Sequence, residues 1–149
     1  MKIVVLKFGG TSVGTIDRIK KVADLITNYA KKKYNLIVVT SAMSGVTNDL
    51  VKKSEEISEN FSNSEYDVLV SSGEQVACSL IAGRLQHKGL KSRSWLSWQI
   101  PITTNGYFKH SKIININKKK IINYIRKGGI PIITGFQGIN QEARITTIG

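Results

Sequence analysis

Lys7-Phe8-Gly9-Gly10-Thr11-Ser12 is the first stretch of this sequence whose residue types could do chemistry. Two consecutive glycines after an apolar run let a backbone come close to a phosphate and aim several N–H groups at it. A lysine at the end of that run can neutralise the charge that gathers on a transferring phosphoryl group. The lysine precedes the glycines, and neither GxxxxGK[ST] nor GxGxxG is present, so this is no P-loop and no dinucleotide fingerprint. A tight turn with a lysine at its lip would use the same residues. A second group, Thr40-Ser41-Ala42-Met43-Ser44-Gly45-Val46-Thr47-Asn48, sets small hydroxyls around a glycine and suits a small polar ligand. Capping of a following helix by Ser44 or Thr47 is the simpler reading of the same residues. The third group is Ser71-Ser72-Gly73-Glu74-Gln75. Glu74 could pair with an ammonium group at a cleft rim, yet Ser71 with Glu74, or Ser72 with Gln75, also satisfies a capping box that needs no ligand.

The elements that would position these groups alternate in type. Lys2 to Lys7 and Leu36 to Thr40 are short, nearly continuous apolar runs, as expected of strands buried on both faces in a parallel sheet. Between them Ile16, Ile19, Val22, Ala23, Ile26, Tyr29 and Ala30 recur at helical spacing. Thr15 is placed as the N-cap, Asp17 lies in the first turn and Lys31 to Lys33 in the last. The spacing predicts further helices over Thr47 to Ile57, a short one at Tyr66 to Val70, and a stronger one opening at Ser71. That last helix should pack Val76, Ala77, Leu80, Ile81 and Leu85 on one side and stop at Gly89. A strand over Lys91 to Leu96, a turn-rich stretch with a short strand or hairpin from Trp98 to His110, and a helix from Asn117 to Lys127 follow. A buried strand at Ile130 to Thr134 and a hairpin in the tail complete the pattern. This alternation predicts an α/β fold, a three-layer αβα sandwich with a mainly parallel sheet. Ligands of such sheets bind outside the carboxyl ends of the strands, which selects the loops after Lys7, Thr40 and Thr134.

Composition narrows the class. A chain of 149 residues can bury roughly 68–70% of its unfolded surface as one domain. No segment reaches the ~20 apolar residues of a bilayer span, and the opening apolar run is too short for a signal-peptide core, so a cytoplasmic location with no membrane partner is expected. The single Cys78 rules out an internal disulfide and, one residue from an apolar helix face, reads as a packed thiol. His87 and His110 have no second ligand at metal spacing, and no metal site is expected. The net charge of +12 comes from lysine more than arginine and is spread over helix ends and loops. Without an arginine cluster or an aromatic platform, nucleic acid is not expected as a partner.

Taken in order, Lys7-Phe8-Gly9-Gly10-Thr11-Ser12-Val13, Ser41-Ala42-Met43-Ser44-Gly45-Val46-Thr47-Asn48, Ser72-Gly73-Glu74-Gln75 and Gly135-Phe136-Gln137-Gly138 resemble the aspartokinase family, within the wider amino acid kinases. The resemblance runs from the first residue to the last. It implies transfer of the γ-phosphoryl group of ATP, as its Mg2+ complex, to the β-carboxylate of L-aspartate, the first committed step towards lysine, threonine and methionine. Carried over by motif, Lys7 is the catalytic residue and, with Phe8, Gly9 and Gly10, holds the ATP phosphates. Ser41 and Thr47 contact the aspartate, and Glu74 pairs with its ammonium group. Other amino acid or carbamate kinases of the same fold differ in the Ser41 to Asn48 and Ser72 to Gln75 segments. A basic, non-catalytic binding protein is the alternative of a different class.

In the family an Arg-Gly-Gly-Ser-Asp segment follows at the position after Gly149, then the elements that hold adenine and ribose, and regulatory ACT domains. The chain is therefore expected to be the aspartate-binding, amino-terminal half of a kinase domain, incomplete on its C-terminal side. It is expected to expose a sheet edge and to be inactive alone, whereas complete relatives form homo-oligomers.

Overall fold

The computed structural model describes residues 2–149. Strand β1 (Ile3–Phe8) leads into helix α1 (Ile16–Lys31) and strand β2 (Asn35–Thr40). Thr15 caps α1 as its sequence predicts, accepting from Arg18 N at 3.2 Å. Helix α2 (Val46–Ile57) and helix α3 (Asn63–His87) come next, then strands β3 (Ser92–Trp95), β4 (Ile102–Thr104) and β5 (Ile113–Ile116). Helix α4 (Lys119–Arg126) and strands β6 (Ile130–Thr134), β7 (Gln137–Ile139) and β8 (Ile145–Thr147) complete the chain.

Strands β1, β2, β6 and β3 form one parallel sheet in the order β1-β2-β6-β3. Alternate side chains split its apolar residues between two cores. On one face Phe8, Leu36, Val38, Ile130 and Ile132 pack against Ile19, Val22 and Ile26 of α1 and Ala77, Ile81 and Leu85 of α3. On the other face Trp95 and Ile133, with Ile37 and Val39 partly buried, pack against Ile121 and Ile125 of α4. This is the three-layer αβα arrangement, with helices on both faces of a parallel sheet. The register aligns Phe8 with Thr40 and Thr40 with Thr134, so three strands end level. Ser41 N then donates to Phe8 O at 3.0 Å and Gly135 N to Thr40 O at 2.9 Å, and their loops leave the sheet side by side.

Three expectations need correction. The helices predicted at Tyr66 to Val70 and from Ser71 are one, the 25-residue α3. Ser71 and Ser72 do not cap a new helix; their hydroxyls donate back to Val68 O at 3.1 Å and Leu69 O at 2.7 Å. Within α3, Val76 and Leu80 are exposed and do not share the packed side with Ala77 and Ile81. Neither Ser44 nor Thr47 caps α2. Its N-cap is Gly45, at φ 81°, a left-handed backbone that glycine adopts without steric cost.

The tail hairpin is present as β7 and β8, and the turn-rich stretch carries β4. Together with β5 they form a second four-stranded sheet, β5-β4-β7-β8. Its strands are only three or four residues long, and β4 meets β7 through a single parallel pair, Thr103 with Ile139.

Candidate functional site

The level strand ends produce a cleft of about 300 Å³ whose lining includes Gly10, Ser41, Ser44, Thr47, Glu74 and Phe136. Three loops and two helices meet there. Ser44 Oγ donates to Gly10 O at 3.3 Å, so the loop after β2 is tied to the loop after β1. Ser41 directly follows β2 and Thr47 lies in the first turn of α2, and both line the cleft.

Glu74 comes from the middle of α3 and is 3% exposed. Its Oε1 accepts from Ala42 N at 3.1 Å, which docks the loop after β2 onto the helix. Its Oε2 is buried and has no hydrogen-bond partner among the described residues. Burial pushes its carboxyl above the ordinary value of 4.5, and the Ala42 N–H opposes that rise. A half-satisfied buried carboxylate is costly unless something else completes it. Because Glu74 is mid-helix, the capping-box reading of this residue does not hold.

Gly73 explains why α3 can come so close. A Cβ there would meet Ala42 Cβ at 2.8 Å and Val46 Cγ1 at 3.0 Å, so only glycine lets the loop and α2 pack on α3 here. The Ser-Ser-Gly run that looked like a helix boundary is a strip of small residues at a helix–loop contact.

Lys7 is placed differently from the other sequence-selected residues. It points to the α4 side of the sheet and lines a second, apolar cavity of about 350 Å³, bounded by Ile100, Ile102, Ile133 and Thr134 among others. Its side chain is exposed and makes no ion pair among the described residues. Phe8 is buried in the core, so its side chain packs against the helices. A Cβ on Gly9 would meet nothing within 4 Å, leaving open space beside that backbone. Phe136 lines both the cleft and the apolar cavity and is the partition between them. It sits at φ 63°, a left-handed backbone rare for a bulky residue; the sequence marked its loop and its Gly135-Phe136-Gln137-Gly138 motif but no role for its side chain.

Cys78 is a packed thiol, fully buried, with Sγ donating to Ile132 O at 2.9 Å and burial holding its pKa at about 12. Among the described residues no group of three or more His, Cys, Asp or Glu could hold a metal ion. No helix of the described residues is long and apolar enough to cross a membrane.

The glycine turn, the hydroxyl-lined cleft and the buried carboxylate thus sit together at the strand ends of a parallel αβα sandwich. The model of the amino acid kinase family matches residues 2–149, and the chain belongs to that family. Its sequence relatives there are aspartokinases. The chain is 46% identical to an aspartokinase of Rickettsia conorii over all of its own length and 38% of that protein's. It is 42% identical to an aspartokinase of Geobacillus stearothermophilus, again over its whole length and 37% of that protein. The chain therefore spans little more than a third of the curated relatives it matches. Among solved structures, aspartate kinase from Synechocystis superposes with a TM-score of 0.79 at 36% identity, covering 99% of this chain and 24% of that one. Escherichia coli aspartokinase III, solved with aspartate and ADP, superposes with a TM-score of 0.85 over 99% of this chain and 44% of that one. At 24% identity this second likeness concerns the fold.

Proposed function

We propose that the chain supplies the aspartate-binding half of an aspartate kinase, which forms 4-phospho-L-aspartate from L-aspartate and ATP on the route to lysine, threonine and methionine. The observation that carries this reading is Glu74, a buried carboxylate with one oxygen unpartnered, facing a cleft lined by the Ser41 and Thr47 hydroxyls. An α-ammonium group would complete the Glu74 carboxylate with a charge-assisted hydrogen bond. The hydroxyls of Ser41 and Thr47 would donate to the amino acid's carboxylates. This orients the ligand end to end and leaves its β-carboxylate to be phosphorylated.

The chemistry then asks little of the protein beyond position and charge. A β-carboxylate is ionised at neutral pH, so its oxygen attacks the γ-phosphorus without a general base while the bond to the leaving ADP oxygen breaks. Lys7, exposed and unpaired on the far side of Phe136 from the cleft, takes its role of neutralising the phosphoryl oxygens from the family resemblance, and the open backbone at Gly9 fits a phosphate. Among the described residues no group of three or more His, Cys, Asp or Glu is gathered for Mg2+, and no step is assigned to the metal on this chain.

Calorimetric titration tests the reading. L-Aspartate is expected to bind the 149-residue chain, whereas succinate and N-acetyl-L-aspartate, which lack the ammonium group, are expected not to. Equal heats for all three would remove Glu74 from the proposed role. Trapping any acyl phosphate with hydroxylamine in the presence of ATP tests turnover. None is expected from these residues alone, and appreciable product would overturn the half-enzyme part of the proposal.

A further inference from the structure

Asp67 lies on α3 seven residues before Glu74, about two turns and roughly 10 Å along the same helix face. It is fully buried and takes no part in the cleft. Three donors make four hydrogen bonds to its carboxylate. Lys109 N approaches both oxygens, at 3.1 and 3.0 Å, Thr147 N reaches Oδ2 at 2.8 Å, and Thr147 Oγ1 reaches Oδ1 at 2.8 Å. Lys109 is held at φ 66°, a left-handed backbone, and its ammonium group stacks 4.2 Å over the ring of Tyr66, the neighbour of Asp67. One carboxylate thus fastens β8 and the loop between β4 and β5 to the helix that carries Glu74.

The consequence for the cleft follows one residue further along β8. Ile148 N donates to Phe136 O at 2.9 Å, so the strand gripped by Asp67 is the strand that holds the Phe136 backbone. Phe136 and Glu74 both line the cleft. A left-handed phenylalanine stays put only if its surroundings fix it. We propose that Asp67 is a positioning residue of the cleft. Through Thr147 and Ile148 it sets the distance between the Phe136 wall and Glu74, and with it the length of amino acid the cleft accepts. The proposal about ligand length rests on the aspartate reading; the mechanical link from Asp67 to Phe136 does not.

Asp67→Asn tests both parts. It keeps size but presents an NH2 group to converging N–H donors, so the grip on Thr147 and Lys109 is broken. The four phenylalanines of the chain, Phe8, Phe61, Phe108 and Phe136, can be replaced together by 4-fluorophenylalanine and read by fluorine NMR. In Asp67→Asn the Phe136 signal is expected to broaden or double, with Phe108 following Lys109, while Phe8 and Phe61 stay in place. The preference for L-aspartate over L-glutamate is expected to fall about tenfold, the equivalent of ~1.4 kcal/mol. Thr147→Val, which removes one hydroxyl donor and keeps the backbone bond, should move the same Phe136 signal by less, and it serves if Asp67→Asn does not fold. An unmoved Phe136 signal, or all four signals moving together as in a general loosening, would overturn the proposal. A wild-type chain that binds neither amino acid would count against the aspartate reading alone, since the fluorine signals still decide the role of Asp67.

Discussion

At the scale of single residues, Glu74 carries two opposed effects that can be measured separately. Its carboxyl pKa is raised by burial, so the folded chain binds a proton more readily than the unfolded one. Such a group stabilises the fold below its unfolded pKa near 4.5, and that contribution is lost as pH rises through the higher folded value. Glu74→Gln keeps the acceptor for Ala42 N and removes the charge. Its melting temperature is therefore expected to exceed that of the wild type at pH 7, with the difference closing towards pH 4.5, as a pair of thermal scans would show. Aspartate affinity should move the other way. Losing a charge-assisted bond costs about 1.5–3 kcal/mol, roughly 10- to 150-fold in affinity, and the wild-type affinity should weaken on acidification where the variant's stays flat. A Glu74→Gln chain that binds aspartate normally would end the ammonium assignment. Of the residues selected from sequence, Gly10, Ser41, Thr47 and Glu74 meet in one cleft because each follows or faces a strand end. Lys7 was selected with them, but strand alternation turns it to the other side of the sheet. Asp67 and Phe136 were not legible as site residues, since the meaning of Asp67 depends on a partner eighty residues away.

At the scale of elements, the parallel strands and α1 were legible because a period of 2 or 3.6 and a cap are local signals. The continuity of α3 was not. Serine and glycine weaken a helix when counted one by one, and the compensation comes from Ala42 and Val46, which no local window contains. Gly73 makes this testable. Gly73→Ala would improve helix propensity by about 0.5–1 kcal/mol, but its methyl would press on Ala42 Cβ at 2.8 Å and Val46 Cγ1 at 3.0 Å. Overpacking of that kind costs about 1–3 kcal/mol and should win, lowering stability and parting Ala42 N from Glu74. Pairing it with Ala42→Gly removes the nearer of the two colliding atoms. The double variant is expected to recover part of the stability lost in urea unfolding, and simple additivity of the two single losses would show that this contact is not what limits the approach of the loop. The second sheet escaped notice for a similar reason. Strands of three residues carry almost no period, and the sheet is assembled by buried side chains from distant segments. Thr104 Oγ1 and Thr146 Oγ1 meet at 2.8 Å, while Gln137 Oε1 accepts from Ser97 Oγ and its Nε2 donates to Ser71 O.

At the scale of the whole molecule, charge was fully legible and its effect is a competition. A net charge of +12 on 149 residues repels itself, which disfavours the compact state. Against it stand three ion pairs among the described residues, Lys20 with Asp17, Lys88 with Asp24 and Arg144 with Glu65. Their side chains are largely open to solvent, where such a pair is worth about 0–1 kcal/mol. Added salt screens both terms, with a Debye length of about 10 Å at 0.1 M. Many like charges outweigh three attractive contacts, so the melting temperature is expected to rise when sodium chloride is increased from 0.02 to about 0.3 M, where the screening length falls below typical spacings of surface charges. Arg144→Gln gives the internal control. It deletes the ion pair with Glu65 and also one positive charge, so at low salt the two changes oppose each other and the variant should lie within about 0.5 kcal/mol of the wild type. A fall in melting temperature on adding salt would mean that the ion pairs outweigh the repulsion, so that the three surface contacts, and not the net charge, set the electrostatic part of this fold's stability.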